Sequence, residues 1–89
     1  MAEALTLAAI EAAEKNIADK VVVTPVHNWR GPTMREAVGK GTEVTFKLEL
    51  FQHTGTFKAR GALLNLLSLP ADALAKGVTA VSAGNHAIA

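Results

Sequence analysis

Two periodicities meet at one corner of this chain. Val44-Thr45-Phe46-Lys47-Leu48-Glu49-Leu50 alternates apolar and polar residues as a half-buried strand does, whereas Ala59, Ala62, Leu63, Leu66 and Leu67 recur at helical spacing. The pattern predicts a strand over about Val44 to Leu50 and a helix over about Phe57 to Ser68, capped by Thr56 and ended by Pro70. The switch of period falls at Lys58. Loops that leave the carboxyl ends of strands line the ligand crevice of open α/β sheets, so position alone makes Lys58 a candidate functional amine.

Around that corner the pattern is simpler. Thr6 is placed to cap a first helix whose apolar stripe is Leu7, Ile10, Ala13 and Ile17, with Glu11 four residues before Lys15 as a favourable pair. Val21-Val22-Val23 is β-branched and closes on Thr24-Pro25; because Pro25 lacks an amide, it reads equally as a short edge strand or as a plain extended loop. Between His27 and Thr42 the signals are irregular, broken by Gly31-Pro32 and Gly39-Lys40-Gly41, with a helical turn at Met34 to Val38. Pro70 to Gly77 has proline at the start and glycine past the end, the asymmetry of a short helix. Val78 to Ser82 then predicts another strand, and the strand-helix-strand order predicts a βαβ unit with parallel strands.

Composition narrows the class. With 49% apolar and 19% charged residues in 89, the chain is an ordinary globular sequence. Nine basic residues face eight acidic ones, scattered for a net charge of +1, so neither a nucleic-acid footprint nor a membrane-surface patch is expected. The absence of cysteine removes disulfides, thiolate metal sites and cysteine nucleophiles together. The acidic start lacks the basic residues of a secretion signal, and a cytoplasmic location is expected. A helix opening after Asn85 reaches Ala89 after about one turn, so the chain is expected to be an N-terminal fragment. Only two or three short strands are present to cover a parallel sheet, so apolar surface is expected to remain in need of partners.

The candidate chemistry lies at two corners. Ser82-Ala83-Gly84-Asn85-His86 joins a predicted strand to a predicted helix; its small residues and free amides suit a carboxylate or phosphate, although such turns also form merely because a strand must become a helix. Lys58 sits in a first helical turn, where the helix dipole disfavours a cation and so favours use of the amine as a nucleophile. The bland alternative is a solvated lysine. Arg60 reads as solvated or paired to a carboxylate, Lys47 with Glu49 as a surface pair, Trp29 as packing, and His86 as a brace for its loop. His27, His53 and His86 have no metal spacing, so no metal site is expected. Neither the dinucleotide fingerprint nor the phosphate-binding P-loop is complete.

Lys47-Leu48-Glu49-Leu50-Phe51-Gln52-His53-Thr54-Gly55-Thr56-Phe57-Lys58-Ala59-Arg60-Gly61-Ala62 resembles the lysine motif of the fold-type II pyridoxal-phosphate enzymes, in their threonine/serine dehydratase and serine racemase branch. Ser82 to Ala87 resembles that branch's asparagine loop, and Thr24-Pro25-Val26 its early element. The resemblance implies an α/β, three-layer parallel-sheet fold of the tryptophan synthase beta-like type, here incomplete. Residues 1-45 would be a leading helix and linking segment of the cofactor domain, and 46-89 the lysine motif and the start of the small domain.

It also implies roles. Lys58 would bond pyridoxal 5'-phosphate as an imine and act as the catalytic base, Phe57 would pack on the pyridine ring, and Asn85 would hydrogen-bond the phenolic oxygen. Ser82, Ala83, Gly84, Asn85 and His86 would hold the substrate carboxylate. The implied activity is that of an ammonia-lyase that removes the β-hydroxyl of threonine, serine or a hydroxyaspartate-like amino acid to give a 2-oxo acid and ammonia. Racemases of the branch tend to carry a second serine where this chain has Ala83, which favours elimination over racemisation. Relatives are usually dimers or tetramers, so a homo-oligomer is expected at full length. The remaining cofactor contacts of such enzymes lie beyond position 89, and the isolated chain is expected to be inactive. A non-catalytic fragment and a phosphate-binding module without imine chemistry are the rival expectations.

Overall fold

The computed structural model describes residues 4–89. Helix α1, Leu7–Ile17, opens as its sequence dictates: Thr6 is extended, and its hydroxyl accepts the amide of Ala9 at 3.1 Å. Ile17 is the buried end of its stripe, whereas Leu7 and Ile10 face outward, and Glu11 and Lys15 form no ion pair.

The sheet differs from expectation. Val21 to Pro25 is not a strand; β1 is Val26–Trp29, one residue past the proline, and it pairs antiparallel with β2, Val44–Lys47, in the register Val26 to Lys47 and Trp29 to Val44. The proline carbonyl still accepts the Leu48 amide at 2.9 Å, so Pro25 adds an acceptor to the ladder without needing to donate. Trp29 packs on Phe46 across the pair, ring centroids 5.4 Å apart, and the Thr45 hydroxyl donates to Asn28 at 2.6 Å. Between the strands lies α2, Pro32–Val38, with proline in its first turn and Gly39 at φ +88° ending it, longer than the single turn expected.

Strand β2 stops at Lys47, three residues short of the predicted end. Leu48 leaves the extended region, and two 3-10 turns follow, Glu49–Phe51 and His53–Gly55. Helix α3 then runs Lys58–Leu67, and α4, Ala71–Ala75, ends before Gly77 at φ +81°. Val78 to Ser82 forms no strand, because the two-stranded sheet of the described residues offers it no neighbour; the predicted parallel βαβ unit is therefore not formed here. The last helix, α5, is Asn85–Ile88.

Packing is open. The radius of gyration is 17.3 Å, against about 12 Å for a compact domain of this length. The accessible surface is 7311 Å², against roughly 5,000 Å² for a folded monomer of this mass. Large apolar side chains stand in solvent accordingly, Val81 at 94% and Val23 at 90% exposure. Helices α1 and α3 pack together and contribute one buried residue each, Ile17 and Ala59; the other two buried among the described residues are polar, Thr24 and Gln52. Half of what is buried is thus a hydrogen-bonded junction.

Candidate active site

That junction fixes the corner carrying Lys58. Gln52 leaves the first 3-10 turn and turns its amide onto the backbone of Val22: Nε2 donates to the Val22 carbonyl at 2.9 Å, and Oε1 accepts the Val22 amide at 3.0 Å. The same Oε1 accepts the His53 amide at 3.0 Å, so the side chain satisfies three backbone groups that neither helix nor sheet serves.

Beside it lies a charged chain of contacts. Arg60 donates from Nε and Nη2 to the two oxygens of Glu49, the second bond at 3.1 Å, and from Nη2 to the Val22 carbonyl at 3.4 Å. Thr24 donates its hydroxyl to Glu49 at 2.5 Å and accepts from Lys47 Nζ at 2.8 Å. The Arg60 guanidinium holds the Glu49 carboxyl down, from 4.5 to about 2, with help from the Thr24 hydroxyl and the Lys47 charge. In return the Glu49 hydrogen bonds raise Arg60, and Glu14 on α1 adds to this. A two-bond guanidinium-carboxylate pair is directional as well as strong. Of the two states expected for Arg60, solvated or paired to a carboxylate, the structure shows the pair, and Glu49 pairs with Arg60 and not with Lys47, whose Nζ reaches Thr24. The roles of Gln52, inside the corner motif, and of Thr24, far from it in sequence, carry no periodic signal.

Between Gln52 and Lys58 the chain reverses through Thr54 at φ +63° and Gly55 at φ +77°. Glycine accepts that region freely, while a β-branched threonine is strained there. Thr56 is extended and its hydroxyl accepts the Lys58 amide at 3.3 Å, but the residue that caps α3 is Phe57, one position later than expected, and its side chain makes no cap bond. Lys58 is exposed, its Nζ 5.8 Å from the centre of the Phe57 ring, and it belongs to no ion pair among the described residues.

The second corner is braced by Ser82 and not by His86. The Ser82 hydroxyl oxygen accepts the amides of Gly84 at 3.1 Å and Ala87 at 2.9 Å, which ties the loop to the first turn of α5. Ser82, Ala83, Asn85 and His86 are exposed and Gly84 half-buried. Helices α3 and α5 touch, so the fold brings together the two helices that begin at these corners. Two recesses lie elsewhere: one of about 340 Å³ bounded by Trp29, Arg30, Arg35 and Lys40, the other of about 310 Å³ between α1 and α3. Neither is lined by Lys58 or the Ser82 loop. Among the described residues no group of acidic and histidine side chains could hold a metal ion, and no helix is long and apolar enough to cross a membrane.

Comparison with known proteins gives this geometry its context. The family described as pyridoxal-phosphate dependent enzyme matches residues 17–89. The chain belongs to that family. Its members depend on pyridoxal phosphate. Phenylserine dehydratase of Ralstonia pickettii is 69% identical over 48 residues, 54% of this chain and 15% of that protein. L-threonine ammonia-lyase of Geobacter sulfurreducens is 57% identical over 47 residues, 53% of this chain and 12% of that protein. Serine racemase of Dictyostelium discoideum is 43% identical over 82 residues, 92% of this chain and 24% of that protein. The chain thus spans a quarter or less of the length of these relatives. No solved structure matches it.

The residues present fit the family's cofactor. An aldehyde is captured by a primary amine free of a carboxylate partner, and Lys58 is such an amine, with an aromatic face beside it.

Proposed function

We propose that this chain is the part of a threonine/serine dehydratase, an ammonia-lyase, that presents the cofactor-bonding amine. The observation that carries the reading is Lys58: an exposed amine without an ion-pair partner among the described residues, beside the Phe57 ring, on a corner held by part-buried hydrogen bonds. Relatives named phenylserine dehydratase and L-threonine ammonia-lyase support the reaction class.

Pyridoxal phosphate, when bound, supplies an electron sink for the pair left on the substrate α-carbon. Lys58 would hold the cofactor through its Nζ, and the same amine, when free, would serve as the base that takes the α-proton. Phe57 would pack on the cofactor's ring, and Asn85 would hydrogen-bond its phenolic oxygen. The amides of Ala83 to His86, with Ser82, would receive the substrate carboxylate, the Gly84 amide exchanging its bond to the Ser82 hydroxyl for one to the substrate. Loss of the β-hydroxyl with a proton, as water, would leave an enamine, which water would hydrolyse to the 2-oxo acid and ammonia. The fold we assign is the three-layer, tryptophan synthase beta-like one, with residues 1-45 in the cofactor domain and 46-89 opening the small domain, in a cytoplasmic homo-oligomer.

Racemisation is the second reading, favoured by the serine racemase match over 92% of the chain. It needs a proton donor on the opposite face of the cofactor, and the methyl group of Ala83 provides none. Incubating the intact protein with pyridoxal phosphate, reducing with borohydride and mapping the labelled peptide tests the first point; Lys58→Arg should abolish the label. Assaying 2-oxo acid and D-amino acid from L-threonine and L-serine tests the second. Equal rates of racemisation and elimination would exclude the assignment to a dehydratase.

A further inference from the structure

Lys58 and Arg60 are two residues apart on α3, so they project about 200° from one another around the helix. Arg60 faces inward to Glu49 and the Val22 carbonyl, and Lys58 faces solvent. Whatever fixes the rotation of this helix about its axis therefore fixes the direction of the Lys58 amine. Among the described residues, Ala59 is the one buried side chain of α3, and its methyl group has no directional preference. The Arg60 guanidinium is planar, binds both Glu49 oxygens, and does have one.

We infer that Arg60, held by Glu49, is a positioning residue for Lys58. The inference rests on the functional reading above. Glu49 is itself anchored by Thr24, which is 3% exposed, and Thr24 is held from its other side by Lys47. The Val22 carbonyl accepts from both Gln52 and Arg60, so one backbone atom ties down the two limbs of the Thr54-Gly55 reversal. The limb before the reversal is set by Gln52, and the limb after it by Arg60. A strained threonine between them persists because both ends are over-determined. Removing the Arg60 anchor frees the first turn of α3 to rotate and the amine to sweep an arc, while the exposed amine itself loses no contact.

The test compares lysines within one molecule. The intact protein and its Arg60→Ala and Glu49→Gln variants are treated with limiting pyridoxal phosphate, reduced with borohydride and digested. The label on Lys58 is then measured relative to the label on Lys15 of α1, with far-UV circular dichroism recorded on the same samples. Both variants should keep the native dichroism and lose roughly tenfold or more of the Lys58 to Lys15 ratio, the scale on which misplacing a reacting group by an ångström is felt. Arg60→Lys, which keeps the charge and loses the two-bond geometry, should fall between. Should Arg60→Ala unfold, Glu49→Gln, of the same shape, decides the matter: an unchanged ratio in either folded variant overturns the inference. Absence of a Lys58 preference in the native protein overturns the functional reading and this inference with it. A native preference that survives in the variants overturns this inference alone.

Discussion

Gln52 and Val22, thirty positions apart, are joined as two strands would be: the side-chain amide of one pairs with both backbone polar groups of the other, at 2.9 and 3.0 Å. Gln52 is 4% exposed and Val22 half-buried, so these bonds are made partly shielded from water. Gln52→Ala removes three bonds and leaves the amides of Val22 and His53 without their partner. A loss of about 2–3 kcal/mol is expected, measured by urea unfolding of the intact protein. Gln52→Glu should be nearly as costly, because a carboxylate faces the Val22 carbonyl with no hydrogen to donate.

The Glu49 pair makes stability depend on acid. Its carboxyl titrates at about 2 when folded, against 4.5 ordinarily. A depressed value stabilises the fold above the unfolded pKa, so this contribution is whole above about pH 5 and is lost as pH falls toward 2. Glu49→Gln should therefore flatten the acid limb of a stability-against-pH curve between those limits. At pH 7 it should cost about 1 kcal/mol, because the pair is partly open to solvent. An acid limb as steep as that of the native protein would count against the Arg60–Glu49 pair.

Thr54, at φ +63°, carries its strain with no side-chain hydrogen bond among the described residues. Thr54→Asn, a residue that tolerates the left-handed region, should raise stability by about 0.5–1 kcal/mol, and a thermal melt reads this directly. Gly55 lies next to it at φ +77°, and Gly55→Ala should lower stability by a similar amount.

The Thr6 cap offers a control remote from the site. Thr6→Ala should cost about 1 kcal/mol through the lost bond to the Ala9 amide, and leave Lys58 labelling untouched.

What the sequence made legible is what depends on near neighbours. The Thr6 cap, the helical turn between Gly31-Pro32 and Gly39, and the Pro70 to Gly77 helix are set within a turn or two of the residues that encode them. The strands were harder, because pairing is decided elsewhere. Val21 to Val23 has the stronger β composition, yet Val26 to Trp29 became the strand, since those residues meet Val44 to Lys47 in register. Val78 to Ser82 has strand composition and no partner. At the site, Lys58 and the Ser82 loop could be picked out by period and by resemblance. The Gln52 and Thr24 contacts span about thirty residues and leave no periodic trace. The two 3-10 turns were hidden because Leu48-Glu49-Leu50 continues the alternation of β2 after the backbone has left the strand.

The Val22 amide is bonded by a side chain and belongs to no helix or sheet. Its proton can reach solvent only when Gln52 lets go, so its hydrogen-exchange rate is a private clock for the opening of this junction, separate from unfolding of α1 or of the β1–β2 pair. Exchange at that single position would follow the junction in real time, and a ligand that tightens the Lys58 corner should slow it without slowing the amides of β1.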